Sequence, residues 1–216
     1  MAQSKLILIG APGSGKGTQA QRVAEWLHVP HISTGDILRE AVKSRSELGK
    51  KAEPIMASGA LVPDDLMVGI IGERLEQPDA KGGFILDGFP RTVHQAEKLD
   101  RLVEGNGNGA LRVIHLLVPD EVIVRRVTSR RLCSKCGAIY NTEHSRPKVE
   151  GVCDRCGAAL VARPDDVESA VKKRLDAFHQ QTMPVVEHYR SKNLLKVVDG
   201  NGPVDQVFER LEASIR

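Results

Sequence analysis

Hydrophobic and polar positions fall into two kinds of segment that alternate along the chain. The first kind is short and apolar on both faces: Leu6–Ile9, Phe84–Leu86, Val113–Val118 and Leu194–Val198, with His31–Ser33 as a shorter candidate. Such runs read as buried strands. The second kind repeats its apolar residues at three- and four-residue intervals. Ala20, Val23, Ala24 and Leu27 predict an amphipathic helix over Lys16–Leu27. Ile37, Leu38, Ala41 and Val42 give a helical stripe after Asp36, and Leu66, Ile70, Ile71 and Leu75 give another. Pro119–Leu132, Asp165–Tyr189 and Pro203–Ile215 read as further helices. Short strands alternating with helices predict an α/β fold with a parallel sheet covered on both faces. Gly105–Gly109 reads as a flexible loop.

Cys133–Leu160 breaks this alternation. It is polar, rich in turn residues and without helical period, and it holds all four cysteines. They form two knuckles, Cys133-x-x-Cys136 and Cys153-x-x-Cys156, sixteen residues apart and each followed by glycine. That spacing points to a structural zinc ion held by four thiolates. Lys135 and Arg155 offset its negative charge. The competing reading, two disulfides, suits an oxidising compartment. A stretch this short cannot bury a core of its own, so metal would have to hold it together.

The strongest chemical signal follows the first strand. Gly10–Thr18 reads Gly-Ala-Pro-Gly-Ser-Gly-Lys-Gly-Thr. Glycines let backbone N–H groups converge on an anion, the helix N-terminus adds partial positive charge, and Lys16 adds a full one. Gly10, Gly15 and Lys16 meet the phosphate-loop pattern G-x-x-x-x-G-K. Gly17 stands where a metal-binding hydroxyl is usual, and Thr18 follows one step later. A glycine-rich hairpin with an exposed lysine is the alternative, and the flanking strand and helix argue against it.

Composition narrows the rest. The 216 residues are 41% hydrophobic and 27% charged, as in a globular protein of one core with insertions. A net charge of +3 is too small to argue for nucleic acid. Aromatic content of 3% makes base-stacking platforms for single strands implausible. No apolar run reaches the ~20 residues that span a bilayer. The first strand begins within five residues of Met1, which leaves no room for a signal peptide. A cytoplasmic, reducing location is therefore expected.

Four motifs occur in order along nearly the whole chain: Gly10–Thr18, Ser33-Thr34-Gly35-Asp36, Asp87-Gly88-Phe89-Pro90-Arg91 and Arg163-Pro164-Asp165-Asp166. Together they resemble the adenylate kinase family in its long form with a zinc-binding lid. The resemblance implies a five-stranded parallel sheet of the P-loop NTPase type, with helices on both sides and two small mobile insertions. It places the core at 1–33, 63–128 and 167–216, a monophosphate-binding insertion at 34–62 and the lid at 129–166. It also implies reversible, Mg²⁺-dependent transfer from ATP to AMP, giving two ADP, by a monomer.

Carried over residue by residue, Gly13, Ser14, Gly15, Lys16, Gly17 and Thr18 would hold ATP phosphates. Arg130, Ile139, Tyr140 and Gly202 would lie near the rest of that nucleotide. Thr34, Arg39, Leu61, Val62, Gly88, Arg91 and Gln95 would bind AMP. Arg163 and Arg174 would join them at its phosphate. Lys16, Arg91, Arg126, Arg130, Arg163 and Arg174 would surround the transferring group. Arginine suits that role because its planar fork binds phosphate oxygens in pairs and stays charged. Asp87, at the end of a strand, would be an outer-sphere Mg²⁺ partner, or simply a turn cap. Asp165 and Asp166 would sit at a lid hinge, the alternative for one of them being a simple N-cap of the following helix. Cys133, Cys136, Cys153 and Cys156 would hold Zn²⁺. Arg125 and Arg131 read as exposed helix residues.

Two other readings remain. A UMP or CMP kinase would share the loop and the arginines. A zinc-ribbon nucleic-acid binder would use Arg146, Lys148 and Arg155 of the lid, but the rest of the chain reads as a catalytic core. The seven histidines show no metal spacing with one another, although His144 lies inside the lid.

Overall fold

The computed structural model describes residues 4–104, 110–142, 145–163 and 166–216. The Gly105–Gly109 loop, His144 and Asp165 lie outside that set. Five parallel strands form the main sheet: β1 (Ser4–Ile9), β2 (His31–Ser33), β3 (Gly83–Asp87), β4 (Leu111–Leu117) and β8 (Leu195–Asp199). Their order is β2-β3-β1-β4-β8, so β1 lies at the centre between β3 and β4. The alternating faces of β1 go to opposite cores. Leu6 and Leu8 pack with Ala20 and Val23 of α1 (Lys16–Leu27) and with Val207 and Leu211 of α9 (Val204–Ile215). Ile7 and Ile9 belong to the larger core with Ile71 of α4 (Asp64–Leu75), Leu99 of α5 (Val93–Glu104) and Val185 of α8 (Met183–Ser191). Burying each such side chain contributes about 2 kcal/mol.

The helix after β1 thus covers one face and the helix after β3 covers the other. A crevice opens where such connections diverge, above the carboxyl ends of the strands. The glycine loop and Asp87 both stand on that edge.

Two smaller assemblies interrupt the sheet-and-helix core. Helices α2 (Thr34–Lys43) and α3 (Glu47–Ser58) pack on each other between β2 and α4. Pattern reading of the sequence did not resolve α3, whose first turn is capped by the Ser46 hydroxyl accepting from Gly49 N–H. After α6 (Asp120–Thr128), the chain forms a separate antiparallel sheet in the order β6-β5-β7. Its strands are β5 (Arg130–Cys133), β6 (Ile139–Asn141) and β7 (Leu160–Val161).

The structure corrects several predicted boundaries. The helix expected over Pro119–Leu132 ends at Thr128, because Arg130, Arg131 and Leu132 pair with Asn141, Tyr140 and Ile139 instead. Sheet pairing that local periodicity cannot register has overridden it. The helix expected from Asp165 begins at Glu168 as α7 (Glu168–Ala177), and a π-helical turn at Phe178–Thr182 separates it from α8. Val167 is the N-cap of α7, so Asp166 does not cap it. Helix α2 begins at Thr34, because the Ser33 hydroxyl accepts from Asp36 N–H. Among the described residues, no helix is long and apolar enough to cross a membrane.

Candidate phosphoryl-transfer site

The glycine loop owes its shape to two residues in left-handed backbone, Gly13 (φ 86°) and Gly15 (φ 96°). A Cβ on Gly13 would also stand 2.2 Å from a Val127 methyl of α6, so the loop lies flat against that helix. Gly15 caps α1 without a side-chain hydrogen bond, which leaves the first N–H groups of the helix for a ligand. The Ser14 hydroxyl is buried with no partner among the described residues. Lys16 Nζ donates to Ala11 O at 3.0 Å and so bends back across the loop.

Electrostatics single out this lysine. Burial lowers its pKa to about 8, Asp87 opposes the fall, and Arg91, Arg174 and Arg130 add to it. Three positive neighbours and one negative one thus act on the buried amine, an excess of positive charge. A polyanion would relieve that excess and raise the lysine pKa again. Above pH about 8, binding of a polyphosphate should thus take up protons, and below about 7 this uptake should vanish. Calorimetric titration with tripolyphosphate in buffers of differing ionisation enthalpy would measure it. Equal uptake by the parent and Lys16→Met near pH 8.5 would remove the lysine from the account.

Asp87 ends β3 beneath the lysine. Burial raises its pKa, but the hydrogen bond from His31 (Nε2 to Oδ2, 3.4 Å) and the charge of Lys16 outweigh that, and the net shift is downward. The carboxylate is thus held ionised beside the loop. A Cβ on Gly17 would approach Asp87 Oδ2 to 3.3 Å, so glycine there keeps the space over the carboxylate open.

The next turn brings together Thr34, Gly88 and Arg91. Gly88 (φ 80°) leaves room that a Cβ would take from the Thr34 hydroxyl, 2.8 Å away, and from Arg91, 3.1 Å away. Thr34 Oγ1 donates to Gly88 O at 2.9 Å, and Arg91 Nε donates to the same oxygen at 2.8 Å. The Arg91 backbone is pinned at both ends: its N–H donates to Gln95 Oε1 (2.7 Å) and its C=O accepts from the Thr182 hydroxyl (3.0 Å). Arg39 pairs with Asp36 at 2.6 Å on α2. Leu61 and the buried Val62 lie just before α4.

The remaining arginines come from three elements, Arg126 from α6, Arg130 from β5 and Arg174 from α7, with Arg163 just after β7. Arg130 makes a two-pronged pair with buried Asp166, and Arg174 NH1 lies 3.7 Å from the same carboxylate. Asp166, read from sequence as a hinge residue, therefore balances the arginine cluster. Arg163 immediately precedes this turn, and its C=O accepts from Asp166 N–H. Arg126 donates to Gly200 O (3.2 Å) and Ser14 O (3.4 Å), tying the glycine loop to the loop that carries Gly202. Gln19, which sequence reading passed over, secures that loop from the other side by donating to Val204 O at 2.8 Å. Only its place on the buried face of α1 could have marked it.

The lid holds a distinct cluster. The four cysteine sulfurs lie within 4.8 Å of one another. Cys136 N–H donates to Cys133 Sγ, as knuckle turns do toward a thiolate. Tyr140 accepts from Asp154 N–H at 2.8 Å, which leaves its own proton for Cys153 Sγ at 3.6 Å. Burial raises the Cys153 pKa, but Tyr140 and the knuckle N–H groups outweigh it and the thiol falls below its ordinary value. This donor set fits Zn²⁺. It also turns the Tyr140 ring into the lid, whereas Ile139 on the opposite face stays 46% exposed.

Sequence comparison agrees with this geometry. The family model described as adenylate kinase matches residues 8–194. The chain is 50% identical over 210 residues to an adenylate kinase of Caldicellulosiruptor bescii, covering 97% of this chain and 98% of the relative. It is 49% identical over 204 residues to one of Lachnospira eligens, covering 94% and 96%. A third, from Archaeoglobus fulgidus, is 49% identical over 208 residues and 96% of each chain. Parallel sheet, glycine loop and near-complete alignment agree: the chain belongs to the adenylate kinase family.

Proposed function

We propose that the described groups divide the work of moving a phosphoryl group reversibly between ATP and AMP as follows. The reading rests above all on the buried Lys16 of the glycine loop, on which Asp87, Arg91, Arg130 and Arg174 all act. The AMP phosphate is mostly dianionic at neutral pH, so no general base is needed. What the reaction needs is alignment, charge compensation and exclusion of water.

Lys16 and the N–H groups of Gly13, Ser14, Gly15, Gly17 and Thr18 hold the donor phosphates. Thr34, Gly88, Arg39 and Arg91 hold the acceptor. Arg126, Arg130, Arg163 and Arg174 surround the group in flight, once the phosphates replace Asp166 as partner of the cluster. Gln95, Leu61 and Val62 read the AMP base. Ile139, the Tyr140 backbone and Gly202 border the ATP base. Adenylate kinases use Mg²⁺ with ATP; Asp87 would be the residue that holds the ion through its water, and the metal would supply charge neutralisation on the phosphates. Zn²⁺ held by Cys133, Cys136, Cys153 and Cys156 would supply rigidity to the lid.

The reading divides the chain into a core (1–33, 63–128, 167–216), an AMP-binding helical pair (34–62) and a lid (129–166). The reading takes the enzyme to act as a monomer. Four free thiols suit the reducing cytoplasm. A coupled assay with ATP and AMP, CMP, UMP or GMP tests the substrate assignment, and a preference for UMP or CMP would overturn it. Gln95→Ala should raise KM for AMP about tenfold or more while leaving KM for ATP nearly unchanged, because only one base loses its partner. An equal rise in both would mean that Gln95 supports structure generally.

A further inference from the structure

A glutamine side chain is nearly symmetric in shape. Rotated by half a turn, its amide exchanges donor for acceptor, so an unrestrained glutamine can read opposite hydrogen-bond patterns equally well. Adenine presents a donor (N6–H) beside an acceptor (N1). Hypoxanthine has the same size but presents an acceptor (O6) beside a donor (N1–H). A free amide would take either base by turning over.

Gln95 is not free. It is 2% exposed, and each end of its amide already has a partner that tolerates one orientation only. Nε2 donates to Asp64 Oδ1 at 2.8 Å, and a carboxylate can only accept. Oε1 accepts from Arg91 N–H at 2.7 Å, and a backbone N–H can only donate. Turned over, the amide would set oxygen against the carboxylate and NH₂ against N–H, leaving two buried groups mispaired. Asp64 is itself held, because its Oδ2 accepts from the Thr92 hydroxyl at 2.6 Å. Thr92 Oγ1 in turn accepts from Gln95 N–H at 3.2 Å, as the cap of α5. Each amide atom of Gln95 keeps one further hydrogen-bonding capacity, in an order that cannot be reversed.

We propose that Asp64, opening α4 directly after Leu61 and Val62, is a specificity-determining positioning residue. By locking the Gln95 amide, it makes the monophosphate site accept an adenine-type edge and reject the reversed edge of IMP, GMP and UMP. The proposal rests on the reading of Gln95 as the residue that meets the AMP base. CMP presents the same order as adenine, so this lock does not exclude it; its smaller base must be rejected by fit.

Asp64→Asn is the test, because an asparagine amide can oppose either face of Gln95. The ratio of kcat/KM for AMP to that for IMP should fall about tenfold or more, with IMP gaining. KM for ATP should stay put. Asp64→Ala, which removes the carboxylate without adding a donor, should move the ratio the same way and serves if the asparagine variant folds poorly. Thr92→Ala should lower Tm through the lost cap yet preserve most of the ratio, because the Asp64 carboxylate that faces Nε2 can still only accept, with or without the Thr92 hydroxyl. An AMP:IMP ratio within about twofold of the parent in both Asp64 variants, with Gln95→Ala still raising KM for AMP, would overturn the lock alone. So would an equal fall in Thr92→Ala, which would mean general loosening. Equal KM changes for AMP and ATP in Gln95→Ala would instead remove the base-reading role, and the lock with it.

Discussion

Lys16→Ala is expected to lower kcat by about three orders of magnitude or more and to leave the fold intact. Removing one preorganised donor from a developing oxyanion costs on the order of a hundred- to a thousandfold. Lys16 carries a full charge and sits where backbone N–H groups, Arg91, Arg130 and Arg174 already converge. The same crowding predicts the stability result. Burial and the neighbouring arginines lower the lysine pKa to about 8 in the folded chain, below its ordinary value. The folded state therefore binds this proton less well than the unfolded chain does. Stability held back at pH 7 returns as pH rises above 8, and deleting the amine removes that handicap. Tm of Lys16→Ala at neutral pH should equal or exceed that of the parent, while activity collapses. Activity within tenfold of the parent would sink the phosphate-cradle assignment, and a large fall in Tm would mean that Lys16 holds the loop together.

The second large effect concerns the lid. Its own apolar cluster consists of Cys133, Tyr140 and Cys153, with Ala138, Ala158 and Leu160 packed against them. That is far too little to fold a segment of this length. Structural zinc can supply on the order of 10 kcal/mol of apparent binding energy where metal binding and folding are one event. Cys153→Ala removes a ligand and the acceptor of the Tyr140 hydroxyl together. It should abolish stoichiometric zinc, melt the three-stranded lid sheet and weaken ATP binding, while the main sheet and its helices keep their far-UV signal. Some turnover should survive at low temperature, because the four cysteine sulfurs cluster on one another. Metal content, Tm and activity measured on one preparation decide it. Absence of metal from parent protein purified under reducing conditions would overturn the site. Complete loss of turnover at unchanged Tm would overturn its structural role.

Much of this was legible along the chain. Runs such as Leu6–Ile9 and Phe84–Leu86 announced the parallel strands because both of their faces are buried. The glycine loop and the two cysteine knuckles were legible because each packs its chemistry into a few consecutive residues, where spacing alone dictates geometry. The end of α6 was not legible. Arg130–Cys133 continues a passable helical pattern and becomes a strand only because Ile139–Asn141 folds back on it. The π-helical turn at Phe178–Thr182 was hidden for the same reason: its backbone answers to packing and to the Thr182–Arg91 bond, which joins residues 91 positions apart.

By itself the sequence determined the fold class, the phosphate loop and the four-thiol cluster, since these follow from burial period and local spacing. Only the tertiary structure decided which charges meet. It alone set Asp166 against Arg130 and Arg174, His31 against Asp87, and Tyr140 against Cys153. It alone placed Asp64 on the amide of Gln95, thirty-one residues away, and so gave that amide a direction. Hydrogen bonds and ion pairs act over a few ångströms of space with no regard for distance along the chain. A linear pattern can supply the groups, but the folded backbone decides which of them come within reach.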